Sequence, residues 1–93
     1  MVLISIKVSL HSMRLSLMPR WNPCKRRVFI KRLVKLGFNA PEPGGRHFYM
    51  SYGTKVLTIP GNDEYSVAQL KMMIKELENI IGRTITLKEW VEL

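Results

Sequence analysis

Residues 66–82 read SVAQLKMMIKELENIIG, and no other stretch limits the fold as much. With side chains stepping about 100° per residue, Val67, Leu70, Met73, Ile74, Leu77, Ile80 and Ile81 share one broad sector. Lys71, Lys75, Glu76, Glu78 and Asn79 occupy the other. A helix of this kind holds only when its apolar side lies on a second apolar surface. Ser66 offers a capping side chain at the start, and Gly82 a stop. Ninety-three residues allow one domain and one modest core, so the remaining chain must supply that surface.

Two regions can do so. Asn22-Pro23 is a helix-start signal, a capping residue followed by proline, and the pattern from there to Leu36 is helical. Phe29, Leu33 and Leu36, flanked by Ile30, form its apolar face, and Gly37 ends it. Three short strands are expected next. The first spans Phe38 to Glu42 and stops at Pro43-Gly44-Gly45, and the second spans His47 to Ser51. A turn at Tyr52-Gly53 leads to the third, Thr54 to Ile59, which Pro60-Gly61-Asn62-Asp63 ends. Alternation puts Phe48 and Met50 on one side of the second strand, with His47, Tyr49 and Ser51 on the other. In the third, Leu57 and Ile59 share a side opposite Val56 and Thr58. Thr86 caps a last turn or two carrying Leu87, Trp90 and Val91. The expected fold is therefore α+β: a two-layer α-β-β-β-α sandwich with a three-stranded antiparallel meander, one sheet face left to water or a ligand.

Residues 22–93 make this domain, and residues 1–21 form an N-terminal extension. Val2, Ile4, Ile6, Val8 and Leu10 alternate as a half-buried strand would, and Met13, Leu15 and Leu17 repeat the pattern before Met18-Pro19. This reads either as a hairpin packed on the domain or as an upstream addition, with Met18 an alternative start. Lys7, His11 and Arg14 interrupt the apolar stretch and no small-residue cleavage site follows, unlike a secretory signal. No apolar run approaches the roughly 20 residues of a membrane span, so no membrane partner is expected.

The net charge is +8, but its placement matters more. Residues 1–27 carry +6, residues 28–60 carry +4 and residues 61–93 carry −2. An anionic partner is expected for the first two-thirds. On the first helix Arg27, Lys31 and Lys35 form a cationic stripe at i, i+4, i+8, with Arg32 beside them. Such repulsion weakens an isolated helix by a few tenths of a kcal/mol per pair, roughly. A solvated face is the ordinary explanation of such a stripe; nucleic-acid contact is the functional one. The lone cysteine, Cys24, excludes an internal disulfide framework and fits a reducing, cytoplasmic setting.

Most enzyme chemistry lacks its parts here. There is no phosphate-cradling loop, no paired carboxylates in the basic region, and no Cys/His cluster with metal-ligand spacing, so no metal or small-molecule cofactor is implied. Cations near Cys24 would depress its thiol, yet no partner is positioned to use it. His47 is the better candidate, because imidazole can take and return a proton near neutrality. In GGRHFY (44–49), Gly44 and Gly45 leave room for a bulky backbone. Arg46 and Lys55 would set positive charge beside a phosphate, and Tyr49, on His47's side of the strand, would stack on a base. These parts suit metal-free RNA cleavage by attack of the 2′-hydroxyl on the adjacent phosphate. A plain surface histidine at a strand edge is the bland alternative, and from these residues alone the chain reads as a basic α+β domain of nucleic-acid-binding character.

Four features in order resemble the HicA family of toxin ribonucleases, the mRNA interferases of toxin–antitoxin systems. They are FIKRLVKLGF (29–38), Gly45-Arg46-His47 at a strand start, KVLTIP (55–60), and the long helix followed by TLKEWVEL (86–93). The resemblance covers about 70 residues. It implies a fold like a double-stranded-RNA-binding domain, cleavage of mRNA dependent on His47, and inhibition by a HicB-like antitoxin that covers the site. Arg46 stands where the family usually has Ser or Thr, and Gly61-Asn62 where many members have a further histidine. Two other readings remain: a non-catalytic RNA-binding module on the same fold, and a basic domain that docks an acidic protein.

Overall fold

A computed structural model describes residues 20–93. The expected hairpin within 1–21 and the alternative start at Met18 lie outside those residues, except for positions 20 and 21.

The chain first forms a two-residue strand, β1 (Cys24–Lys25), and then α1 (Arg26–Leu36). The helix thus begins three residues beyond the expected proline. Asn22 caps nothing: its side-chain amide donates to the Arg20 carbonyl at 3.3 Å. Cys24 and Lys25 instead pair antiparallel with Tyr65 and Glu64 of β5 (Glu64–Tyr65). Lys25 occupies the N-cap in extended conformation without a side-chain cap, and the Arg26 N–H donates to the Asp63 carbonyl at 2.8 Å. A tertiary partner replaces the local cap.

At the other end of α1 the chain closes with paired reverse bonds, Gly37 N–H to the Val34 carbonyl and Phe38 N–H to the Leu33 carbonyl, both 3.0 Å. Phe38 is then buried against the helix end. Its role as the apolar residue of the helix stop removes it from the sheet, so β2 is Glu42–Gly44 rather than 38–42. Pro43 and Gly44, expected as breakers, lie inside this edge strand, where a missing N–H is tolerated. The turn falls at Gly45-Arg46.

β3 (His47–Tyr52) and β4 (Lys55–Ile59) complete a three-stranded antiparallel sheet in the order β2-β3-β4. Glu42, Pro43 and Gly44 face Tyr49, Phe48 and His47; Phe48 through Tyr52 face Ile59 back to Lys55. Then come α2 (Val67–Ile81) and α3 (Leu87–Glu92). Their caps are those expected: the Ser66 and Thr86 hydroxyls each accept from a backbone N–H, of Gln69 and Glu89, at 3.1 Å.

One core joins every element except the edge strand β2. Phe29 and Leu33 of α1, Met50 of β3, Leu57 and Ile59 of β4, Leu70, Met73, Ile74 and Leu77 of α2, and Trp90 of α3 belong to a single buried cluster. Phe29 sits at its centre, with the Tyr65 and Trp90 rings each 5.4 Å from its own. The architecture is α+β, with helices packed on one face of a three-stranded antiparallel sheet. Strand faces follow the expected alternation, Leu57 and Ile59 buried and Val56 and Thr58 exposed. Phe48 departs from it: although it shares Met50's side, it stands 45% exposed near the end of the strand.

Candidate nucleic-acid interface

The sheet face away from the helices carries Glu42, Gly44, His47, Tyr49, Ser51, Val56 and Thr58 by register. His47 is its first β3 residue and is exposed, as are Gly45 and Arg46 before it. Gly45 has φ 75° while Arg46 has negative φ. Positive φ at only the first of two turn residues matches the hairpin turn whose twist suits antiparallel strands. The turn holds Arg46 at the tip and His47 at the strand head.

Gly44 does something other than expected. A methyl group there would run into Cδ2 and Cε2 of the Tyr49 ring. The ring lies diagonally across the glycine, filling the place of the side chain that would otherwise stand opposite His47. The room made by Gly44 is thus taken by this protein's own Tyr49, and of these two glycines it is Gly45 that has nothing within 4 Å of a Cβ position. Tyr49 is half-buried by this packing, which fixes an aromatic surface beside His47. No hydrogen bond orients the His47 ring among the described residues.

The other expected site residues divide by position. Lys55 pairs with Tyr52, five positions along β3 from His47 and on the helix-facing side of the sheet. At about 3.3 Å per residue this is roughly 17 Å away, so Lys55 and Arg46 do not meet at one phosphate. Arg27, Lys31 and Lys35 are exposed on α1, but they span its length. The C-terminal end of α1 lies by the Tyr52–Lys55 hairpin, for the Asn39 N–H donates to the Ser51 carbonyl and its amide to Ser51 Oγ, both at 2.8 Å. The N-terminal end lies toward the end of the sheet where β4 finishes and β3 begins. There the Arg26 guanidinium donates to the Gly61 carbonyl and pairs with Asp63 at 3.6 Å, and Gly61 follows β4 by two residues where Ile59 faces Phe48. Arg32 is not part of the stripe: its guanidinium stands 5.1 Å over the Trp90 ring, tying α1 to α3.

Cys24 is buried, and burial pushes its thiol above the ordinary value despite the nearby Arg32 charge. The expected depression is reversed because desolvation outweighs the cations. Among the described residues no group of His, Cys, Asp and Glu could hold a metal ion, and no helix is long and apolar enough to cross a membrane.

Lys25 and Arg26 were not expected at the interface. With Arg27 and Asp63 they line a cleft of about 340 Å³ at the His47 end. The pairing of β1 with β5 that brings them there joins segments 39 positions or more apart, and two-residue strands leave no periodic trace. Comparison with known proteins places the chain beside none of them: no family model, curated protein or solved structure matches.

Proposed function

We propose that this protein is a HicA-like toxin ribonuclease, an mRNA interferase that cleaves RNA without a metal, on a fold resembling a double-stranded-RNA-binding domain. The observation that carries the reading is an exposed His47 on an open sheet face, between the Arg46 turn and a Tyr49 ring braced on Gly44. The imidazole takes the proton of a ribose 2′-hydroxyl; the 2′-oxygen bonds to the adjacent phosphorus, the bond to the 5′-oxygen breaks, and that oxygen takes a proton from water. Arg46 offsets charge gathering on the phosphate, and Tyr49 stacks on a neighbouring base. A HicB-like antitoxin would silence the protein by covering this face. Expression of His47→Ala should leave growth unarrested while circular dichroism shows the wild-type fold; arrest as strong as that of the wild type overturns the mechanism.

A second reading is favoured by one specific observation. No side chain among the described residues orients His47, and catalytic bases are usually held by a partner. A non-catalytic RNA-binding module would then bind mRNA through the same surface and leave it intact. Incubating the purified protein with a long mRNA separates the two, intact RNA supporting the binding module.

A further inference from the structure

The cations of this domain are not equivalent, and the fold sorts them. At the His47 end stand Arg46 on the turn and, on the helix side, Lys25 and Arg27 in the cleft with Arg26 and Asp63. Arg26 is engaged by Asp63 and Gly61, which leaves Lys25 and Arg27 as its exposed charges. The opposite end carries Lys35 and Lys55. The half-buried Tyr49 ring, which shares its side of β3 with His47, lies on the face away from the helices. A ligand touching both Tyr49 and the cleft has to leave that face, and the turn carrying Arg46 offers it a cationic route round the end of the sheet.

We propose that this domain binds single-stranded RNA bent round the His47 end of the sheet, its bases on Tyr49 and its phosphates running over Arg46 into the cleft of Lys25 and Arg27. The inference rests on the RNA reading above but not on cleavage. Flexibility decides the substrate class. A single strand bends within a few nucleotides, and its phosphates follow a positive groove while its bases stack. A duplex is stiff, with a persistence length of about 50 nm for DNA, and hides its base faces. It could lie along either surface but not pass from one to the other.

The test measures binding with His47→Ala protein, so that any cleavage is silent, using a short RNA oligonucleotide alone and annealed to its complement. Two double variants remove the same charge: Lys25→Gln with Arg27→Gln, and Lys35→Gln with Lys55→Gln. The first pair should weaken single-strand binding by roughly tenfold and flatten its salt dependence, the second by less than about twofold. Arg46→Gln, on the exposed turn, should act in the direction of the first pair. Single strand should bind at least about tenfold more tightly than duplex. Equal losses in the two pairs, or equal binding of duplex, overturn the proposal. Absence of affinity for either RNA overturns it. Undiminished toxicity of His47→Ala would end the catalytic reading and leave this asymmetry standing.

Discussion

At one end of the sheet Gly45-Arg46 joins β2 to β3, and at the other Gly53-Thr54 joins β3 to β4. Both turns have two residues, with glycine first at positive φ, 75° and 61°. The side chains that flank them differ. Tyr52 and Lys55 bracket the second turn, and the Tyr52 ring packs 5.1 Å from the buried Phe38 ring beside the end of α1. Gly44 and His47 bracket the first, where the Tyr49 ring lies across the glycine and His47 stays exposed. The same backbone device packs a ring into the domain at one end and leaves His47 exposed at the other. Packing is concentrated at the end away from His47, an arrangement that would suit a site needing rigid support and an open surface.

The strongest way to break this contrast is to exchange stability for activity at the two ends. Phe38→Ala removes a ring only 3% exposed and should cost about 3–5 kcal/mol, read as a lowered denaturant midpoint. His47→Ala at the open end should change stability by less than about 0.5 kcal/mol while removing growth arrest. If His47→Ala were as destabilising as Phe38→Ala, the open end would be structural and the contrast lost.

A smaller effect concerns what anchors the open end from beneath. The Tyr65 hydroxyl donates to the Pro60 carbonyl at 2.8 Å, just past the last residue of β4. Tyr65→Phe should cost about 1 kcal/mol. Burial, before any charge, pushes the Tyr65 phenol from 10.0 up to about 12. A raised acid favours the folded state while protonated, so this contribution is fully present below pH 10 and is lost as pH rises through 12. Wild type and Tyr65→Phe should therefore converge in melting temperature across that alkaline window. Parallel curves would show that the phenol does not titrate with unfolding.

How much of this was legible in the sequence varies by element. The second and third helices were, because Ser66 and Thr86 act locally and the apolar period of 67–81 is unbroken. The open and closed faces of β3 and β4 were also legible, alternation alone placing His47 and Tyr49 opposite Met50. The start of α1 was not, because a distant strand at Glu64–Tyr65 claims Cys24 and Lys25 from the local signal at Asn22-Pro23. The role of Gly44 is hidden for a related reason. That a glycine needs space is visible in a sequence, but whether ligand or neighbouring ring uses it depends on register, and register put Tyr49 there. Charge alone groups Lys55 with Arg46, although five residues of strand separate its partner Tyr52 from His47.

The smallest effect is a difference that should vanish. If the two turns share a backbone and differ only in what flanks them, substitution of their first glycines should cost the same. Neither Gly45 nor Gly53 has an atom within 4 Å of a Cβ position, so Gly45→Ala and Gly53→Ala meet strain alone. An L-residue at such φ costs about 1–2 kcal/mol, and the two penalties should agree within about 0.5 kcal/mol in denaturant unfolding. Gly44→Ala supplies the contrast, for its added methyl must displace the Tyr49 ring and alter that ring's NMR signals, which neither turn variant should move. Unequal turn penalties would mean that the two ends differ in backbone as well as in side chains. The openness at His47 would then be a property of the turn itself, rather than of the glycine and tyrosine beside it.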